Sequence, residues 1–458
     1  MRQSAALAKK LFRISSIREN FPEIGTILAP VIVEQFFASV CSLIISIILG
    51  RAGEAEVAAF NLIENLNFLT MQVFLSIGAG TAVVVAQYRG RGEPKAAGEA
   101  AIQALSLTFS LALLCSVVLM VFRSAVLRFI LGAAEQKVLD TGRLFFTLSI
   151  ISYPFLGIMN SAHNILRGSG FSRSTMPQTI AVNILYALLA WLTVAVLGLG
   201  IAGVGFSMIA SRSLGAIYGL ILVRRGNENL IISGLIPKKI DMPKIRIVLT
   251  IGVPAAVEQI LFMSGRLLTQ TFAIAMGTHM LAANSIGNSI YNFLNIPGIA
   301  LQLVIVPLVG KYIGQGDTAK AKQIAGDCVL LGVASFLGVS LLLTGLLDPF
   351  ISLFGQTAEV NETLRQILLS CMIATTLFMP ASFILPGALR AAGDVKMTTV
   401  VSVASMFLFR VTLSYLLTNH TPLGILGIWM GMYFDWVVRS IIFLIRFNGV
   451  KWLRFKLI

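Results

Sequence analysis

The sequence predicts an all-α membrane protein with twelve transmembrane helices in two parallel six-helix bundles, related by a pseudo-two-fold axis along the membrane normal. Three observations support this prediction. Hydrophobic residues make up 57% of the 458 residues and charged residues only 12%, about half the charge of a typical soluble domain. Apolar segments long enough to cross a bilayer recur along the chain. The two halves of the chain also repeat each other at a spacing of 224 residues.

The repeat is clearest in a short motif, which reads Pro-Val-Ile-Val-Glu-Gln at residues 30–35 and Pro-Ala-Ala-Val-Glu-Gln at residues 254–259. Each copy places a glutamate, Glu34 or Glu258, well inside a long apolar segment that follows a basic stretch. At about 1.5 Å per helical residue, each carboxylate is expected near the middle of the bilayer. Because a carboxylate is costly to bury there, we interpret both residues as functional candidates.

In the first half, polar connections and glycine turns separate six predicted spans. The first span follows the basic N-terminal segment and is followed by a turn from Gly50 to Gly53, and a basic connection at residues 87–95 follows the second span. Further connections at residues 167–173 and 198–200 precede the fifth and sixth spans. The predicted spans lie near residues 24–49, 56–86, 98–121, 139–163, 176–197 and 201–225.

The second half repeats this plan after a polar connection. We assign residues 1–225 to an N-terminal six-helix lobe, residues 226–246 to a cytoplasmic linker and residues 247–458 to a C-terminal six-helix lobe. An even number of spans in each half makes the two repeats parallel. The predicted spans of this half lie near residues 247–275, 280–310, 320–346, 358–388, 396–418 and 423–446.

The distribution of positive charge predicts the orientation of the chain. Of the 35 lysines and arginines, 25 lie on the side of both termini, six on the other side and four inside spans. By the positive-inside rule both termini are therefore cytoplasmic, in the plasma (inner) membrane of a prokaryote. The net charge of +15 suits anionic lipid headgroups better than nucleic acid, since no basic face rich in aromatic residues is present.

Motifs for catalysis or metal binding are not found in the sequence. It contains no phosphate-binding Gly-x-x-x-x-Gly-Lys-Ser/Thr pattern, and three histidines with four cysteines in apolar segments give no catalytic or metal-ligand spacing. We therefore expect no enzyme activity, no metal and no cofactor other than a coupling ion. We also expect the chain to act as a monomer in the lipid bilayer, without nucleic acid.

Several motifs resemble the multidrug and toxic compound extrusion (MATE) family. The most specific are Gln-Tyr-Arg-Gly-Arg-Gly-Glu at 87–93, Val-Gly-Lys-Tyr-Ile-Gly-Gln-Gly at 309–316 and Leu-Arg-Gly-Ser-Gly at 166–170. The resemblance covers nearly the whole chain. It implies alternating-access export of small cationic or hydrophobic drugs, in exchange for protons or sodium ions.

The chain also departs from the family pattern. Members often carry an aspartate fifteen residues after the first-span proline and an Asn-x-x-x-Asp in the fifth span, where this chain has Ile45, Asn183 and Ala187. Without these two acids, a cage of oxygen ligands for sodium is difficult to build in the first lobe. We therefore favour the proton as coupling ion, with sodium as the alternative.

The candidate residues for ion coupling and substrate binding are polar side chains at membrane depth. Polar residues at helical spacing in the second and eighth spans are expected to line a cation path, although hydrogen bonding between helices would also explain them. A structural Asp435–Arg439 ion pair is expected from the four-residue spacing. The candidates are Glu34, Gln35, Asn61, Glu64, Asn65, Asn183, Glu258, Gln259, Asn284, Asn288, Tyr291 and Asn292.

The twin glutamates have two possible roles. In the functional interpretation, Glu34 shares a proton with Glu64 on the next span. Glu34→Gln would then abolish proton-driven efflux, whereas Glu258→Gln would alter drug affinity. In the structural interpretation, each glutamate forms a hydrogen bond between the lobes, with Gln35 or Gln259 as a candidate partner. A flippase of lipid-linked saccharides is the main alternative function, since the arginines embedded in spans would suit a phosphate-bearing headgroup.

Overall fold

The computed structural model describes residues 14–50, 53–131, 136–237, 239–352, 354, 357–455 and 457–458, which are helical apart from short connections. In these residues, twelve helices are long and apolar enough to cross a membrane. This confirms the predicted fold class and the predicted number of spans. Long apolar runs form helices here because the backbone polar groups of a membrane span must be satisfied within the span itself.

Seven α-helices are present in the described residues of the first half, of which one is short and lies between the third and fourth spans. The helix of the fifth span continues as a π-helical segment, Trp191–Val196. The helices are α1 (Ile14–Gly50), α2 (Glu54–Gly90), α3 (Pro94–Val121), α4 (Arg123–Leu131), α5 (Gln136–Gly168), α6 (Thr175–Ala190) and α7 (Gly200–Arg225).

The described residues of the second half contain ten α-helices, because three of its spans are interrupted and one short helix lies between the ninth and tenth spans. The eighth span divides at Asn295, and the tenth and eleventh spans contain the π-helical segments Pro380–Ile384 and Met406–Val411. The helices are α8 (Met242–Ala275), α9 (Thr278–Leu294), α10 (Ile296–Gly314), α11 (Thr318–Gly345), α12 (Leu347–Ser352), α13 (Ala358–Met379), α14 (Leu385–Ala391), α15 (Val395–Ser405), α16 (Thr412–His420) and α17 (Ile425–Asn448).

The sequence repeat is also visible in the backbone. Glycines at equivalent positions of the two halves adopt positive φ at the connections between helices, a conformation that costs residues with a Cβ atom considerably more. The same turn geometry therefore recurs in both halves. The pairs are Gly53 (139°) with Gly277 (94°), Gly92 (72°) with Gly316 (78°), Gly170 (83°) with Gly393 (100°) and Gly200 (54°) with Gly424 (53°).

The chain forms two compact units. The N-terminal unit consists of residues 29–256 with Ile458, and the C-terminal unit of residues 1–28 with 257–457. The boundaries therefore fall inside α1 and α8, whereas the sequence placed the division in the connection 226–246. Each unit has its own apolar core, which includes Phe145 and Tyr153 in the N-terminal unit and Trp436 and Phe336 in the C-terminal unit.

Polar contacts hold the first turns of α1 within the C-terminal unit. The side-chain amide of Asn20 donates to Asp327 over 2.6 Å, and Lys311 Nζ donates to Glu23 Oε1 over 2.7 Å. Tyr312 also donates to Glu23, over 2.6 Å. The beginning of α1 is therefore attached to helices that follow it by about three hundred residues.

The first turn of α8 is attached in a comparable way within the N-terminal unit. Lys244 Nζ forms ion pairs with Asp241, at 3.0 Å, and with Glu99 of α3. The hydrogen bond from the Lys244 ammonium holds the pKa of the Asp241 carboxyl below its usual value. Deeper along α8, the Val248 carbonyl oxygen would lie 2.5 Å from a Cβ atom at Gly80 of α2, which shows how closely these two helices approach.

Candidate functional site

Glu34 lies in a buried polar cluster of the N-terminal unit. Its carboxylate accepts hydrogen bonds from Arg167 Nη2, at the end of α5, and from Thr175 Oγ1, at the start of α6, the latter over 2.6 Å. Glu34 is only 2% exposed and Arg167 only 4%. The carboxylate of α1 is thus neutralised by an arginine that is distant in sequence but belongs to the same unit.

Glu258 has an equivalent environment in the C-terminal unit. Arg390 Nη2 lies 2.7 Å from both oxygens of its carboxylate, and Arg390 Nε donates to Thr398 Oγ1 over 3.3 Å. The glutamates of the two clusters are 224 residues apart, whereas the arginines and the threonines are 223 apart. The repeat therefore preserves a complete Glu–Arg–Thr cluster in each unit.

The two clusters have the same electrostatic consequence. A buried carboxylate and a buried guanidinium neutralise each other, and removing either charge leaves the other uncompensated. Loss of the negative charge of Glu34 or Glu258 would therefore leave a buried arginine without its partner. Gln35 and Gln259, proposed from the sequence as partners of the glutamates, are partly exposed, and each glutamate is instead paired with an arginine.

Glu64 belongs to a different network of the N-terminal unit. Its carboxylate accepts a hydrogen bond from the side-chain amide of Asn67 over 2.8 Å, and Asn67 in turn accepts one from the Tyr153 hydroxyl over 2.8 Å. Asn67 also donates to Ser149 Oγ over 3.2 Å. Within the described residues Glu64 forms no ion pair. Its side-chain hydrogen-bond partner is the neutral amide of Asn67.

The structure does not bring Glu34 and Glu64 together as the sequence suggested. Glu34 lies sixteen residues before the end of α1 at Gly50, and Glu64 ten residues after the start of α2 at Glu54. At about 1.5 Å per residue, the two positions differ by about 9 Å along these consecutive helices. A shared proton is therefore not supported by the geometry.

Other candidates of the N-terminal unit have local roles. The exposed Asn65 donates its side-chain amide to the Asn61 carbonyl oxygen over 2.9 Å, and Asn183 donates to the Thr179 carbonyl oxygen over 2.8 Å. Ile45 is 1% exposed in an apolar core that also contacts Ala187. The positions where the MATE resemblance implies acids are thus filled by apolar packing.

In the C-terminal unit, two of the four candidates on α9 contact aromatic residues of α17, and a third is bound to one of these two. Asn284 accepts a hydrogen bond from Trp429 Nε1 over 3.1 Å, and Asn288 donates to the Asn284 carbonyl oxygen over 2.8 Å. The Tyr291 ring stacks on Trp436 with 5.8 Å between ring centroids. Asn292 is exposed and does not share this environment.

Sequence reasoning missed several residues that form these sites. Arg167 lies in the Leu-Arg-Gly-Ser-Gly motif, and Leu-Arg recurs at residues 389–390. That repetition was a signal that Arg167 and Arg390 serve the same purpose. Asn67 and Tyr153 gave no comparable signal, since single polar residues in membrane helices are common. The predicted pair of Asp435 and Arg439 is present, with 3.3 Å between Oδ1 and Nε.

Comparison with known proteins gives consistent matches. The MatE family profile matches residues 30–192 and 254–416, so both matches begin at the proline of the repeated motif. An uncharacterized transporter of Bacillus subtilis, YisQ, is 28% identical over 423 residues, covering 89% of this chain and 90% of that protein. A probable multidrug resistance protein NorM of Thermotoga maritima is 23% identical over 452 residues, covering 96% of each.

Solved structures agree in fold. A MATE crystal structure in the bent conformation matches with a TM-score of 0.87 at 16% identity, covering 95% of this chain and 98% of that one. An outward-facing multidrug resistance MATE family transporter of the MOP superfamily matches with a TM-score of 0.85 at 16% identity. The match covers 94% of this chain and 96% of that one. With two family matches that together span most of its length, this twelve-helix integral membrane protein belongs to the MatE family of multidrug and toxic compound transporters.

Proposed function

We propose that this transporter exports organic cations or hydrophobic drugs in exchange for protons, by alternating access, and that Glu64 carries the proton. The observation that supports Glu64 is its hydrogen-bond partner. A carboxylate that is bound by a neutral amide has no ion pair to break when it gains a proton, whereas a carboxylate paired with an arginine would leave that buried charge uncompensated. Of the three candidate glutamates, Glu64 is the one whose environment suits this role.

The surroundings of Glu64 also suit coupling to a drug. The carboxylate is half-buried, so a proton or an organic cation can reach it. Arg212 lies on α7 and donates to Ser152 Oγ over 2.6 Å, and Ser152 donates to the carbonyl oxygen of Ser149, which also contacts Asn67. The network therefore links α2, α5 and α7. A change in the charge of Glu64 would alter hydrogen bonds that involve all three helices.

Sodium is the less favoured coupling ion. Sodium prefers several oxygen ligands, of which one is usually a carboxylate, and apolar residues Ile45 and Ala187 occupy the positions where related transporters carry acids. The missing acids at these two positions favour the proton.

Purified protein in liposomes tests the coupling ion. We expect a proton gradient alone, acidic inside, to drive drug uptake into the liposomes. Addition of drug without sodium should move protons in the direction opposite to the drug. Drug transport that follows a sodium gradient and ignores the proton gradient would overturn the proposal. Translocation of a lipid-linked saccharide without drug-dependent proton movement would instead support the flippase.

We also propose that both termini lie in the cytoplasm, which the distribution of basic residues supports. A cysteine introduced at His420, the last residue of α16, should react with a membrane-impermeant maleimide added outside intact cells. A cysteine at Lys239, before α8, should react only after the cells are opened. The inverse pattern would contradict this orientation, and a variant without added cysteine measures labelling of the four native thiols.

A further inference from the structure

Three arginines and an aspartate lie at one depth of the C-terminal unit. Arg266 lies nine residues before the end of α8 at Ala275, and Arg410 ten residues before the end of α16 at His420. Asp435 lies ten residues after the start of α17, and Arg439 one turn further. At about 1.5 Å per residue, the first three lie about 14–15 Å from the same ends of their helices, within the apolar part of a bilayer.

Close helix contacts bring these charges together. A Cβ atom at Gly265 would lie 2.4 Å from Met406 Cε, so α8 is tight against the π-helical segment that contains Arg410. A Cβ atom at Gly431 would lie 2.9 Å from the Arg410 carbonyl oxygen, so the same segment is tight against α17. Such π-helical turns inside α-helices are frequent at functional sites.

Asp435 neutralises only one of the arginines. It is fully buried, accepts a hydrogen bond from Ser405 Oγ over 2.6 Å and forms the ion pair with Arg439. The Arg439 guanidinium lies over the rings of Phe383 and Phe262, at 4.6 and 5.0 Å from their centroids. Arg439 is only 3% exposed, yet its Nη2 has no hydrogen-bond partner among the described residues.

The other two arginines remain uncompensated. Within the described residues, neither Arg266 nor Arg410 forms a hydrogen bond or an ion pair through its side chain. Arg410 interacts electrostatically with Asp435, Tyr291, Arg266 and Arg439. Three positive charges and one negative charge leave a net charge of about +2 at membrane depth, where an unpaired charge is costly.

We propose that the C-terminal unit binds an oxyanionic group, a carboxylate or a phosphate, between the guanidinium groups of Arg266, Arg410 and Arg439. Guanidinium groups bind both oxyanions through paired charge-assisted hydrogen bonds. The carboxylate of a transported molecule and the phosphate of a lipid share this chemistry. This inference goes beyond proton exchange at Glu64, and neither proposal requires the other.

Ligand binding to the full-length protein in uncharged detergent tests the site. The probes are benzoate and dihexanoyl phosphatidate, with benzamide and dihexanoyl glycerol as uncharged controls. We expect the charged probes to change tryptophan fluorescence, since Trp436 is adjacent to Asp435, and to raise the melting temperature. Preference for benzoate assigns the site to a transported carboxylate and preference for phosphatidate to a lipid, whereas failure of both charged probes to bind overturns the proposal.

The Arg410→Gln variant distinguishes a role of Arg410 in ligand binding from a role in stability. Because Arg410 has no ion-pair partner, the variant should keep or raise the melting temperature of the ligand-free protein. It should weaken binding of the preferred probe about tenfold or more, the loss expected for one charge-assisted hydrogen bond, and Arg410→Lys should recover part of the affinity. Arg365→Gln, which removes an exposed arginine 3.8 Å from Asp348 in the same unit, is the matched control and should bind normally.

A structural role for Arg410 predicts the opposite result. In that case Arg410→Gln would lower the melting temperature and leave the affinity for benzoate and phosphatidate unchanged, and the proposal would be wrong. The measurement uses no ion gradient. A negative result here therefore leaves the proton-exchange proposal intact, and a failure of proton exchange leaves this binding result intact.

Discussion

Replacing Glu64 with glutamine is expected to reduce drug-dependent proton movement to the level of empty liposomes. Glutamine has nearly the same shape and keeps an oxygen that can accept the hydrogen bond of Asn67, but it cannot bind and release a proton. Exchange of labelled for unlabelled drug requires no net proton movement and should therefore persist. Both quantities can be measured in the same proteoliposomes, with a pH-sensitive dye trapped inside.

Two further variants make this result specific. Glu93→Gln removes an exposed carboxylate in the connection before α3 and should leave proton movement unchanged. Glu64→Asp retains a titratable group and should keep part of the coupled transport. If Glu64→Gln still moves protons at the normal rate when drug is added, Glu64 does not carry the proton.

Replacing Arg167 or Glu34 alone is expected to lower the free energy of unfolding by about 3–5 kcal/mol, because each change leaves a buried charge without its partner. The double variant with glutamine at both positions should be less destabilised than the sum of the two single variants. The Glu258–Arg390 pair should behave in the same way, since it also joins a largely buried carboxylate to a largely buried guanidinium. Unfolding in mixed micelles of increasing SDS content measures all of these values.

An exposed ion pair provides the control for this cycle. Lys320 Nζ lies 2.8 Å from Glu19 Oε1, and the Glu19 side chain is 68% exposed. The corresponding double-mutant cycle should give a coupling of less than about 1 kcal/mol.

If Glu34→Gln unfolds as readily as the unmodified protein but no longer couples protons to drug, the pair is functional and the structural explanation is wrong.

The architecture was predictable because its signals are strong and local. Twelve apolar segments identify the spans, and paired glycines such as Gly92 and Gly316 mark equivalent turns. The sequence also placed Glu34 and Glu258 correctly inside their helices. The division of α1 and α8 between the two units was not predictable, because the sequence of an uninterrupted apolar helix does not show where its packing partners change from one unit to the other.

The site was predicted less well, for physical reasons. Glu34 and Arg167 are 133 residues apart, and helical periodicity says nothing about contacts at such a distance. On α2, the sequence favoured Asn61 and Asn65, but Glu64 is bound by Asn67, three residues further along the helix. Which of several asparagines meets a carboxylate depends on side-chain direction and on the packing of neighbouring helices, which spacing alone does not determine.

The attachment of α1 to the C-terminal unit has a consequence for how the chain is made. Asn20 and Asp327 are 307 residues apart, and Glu23 and Lys311 are 288 apart. At about 5–20 residues per second, the ribosome needs about 15–60 s to produce the partners of this first helix end. Until then the first turns of α1 lack these contacts. The N-terminal unit can therefore pack first, and the fold is completed only when residues 14–28 pack against the second half of the chain.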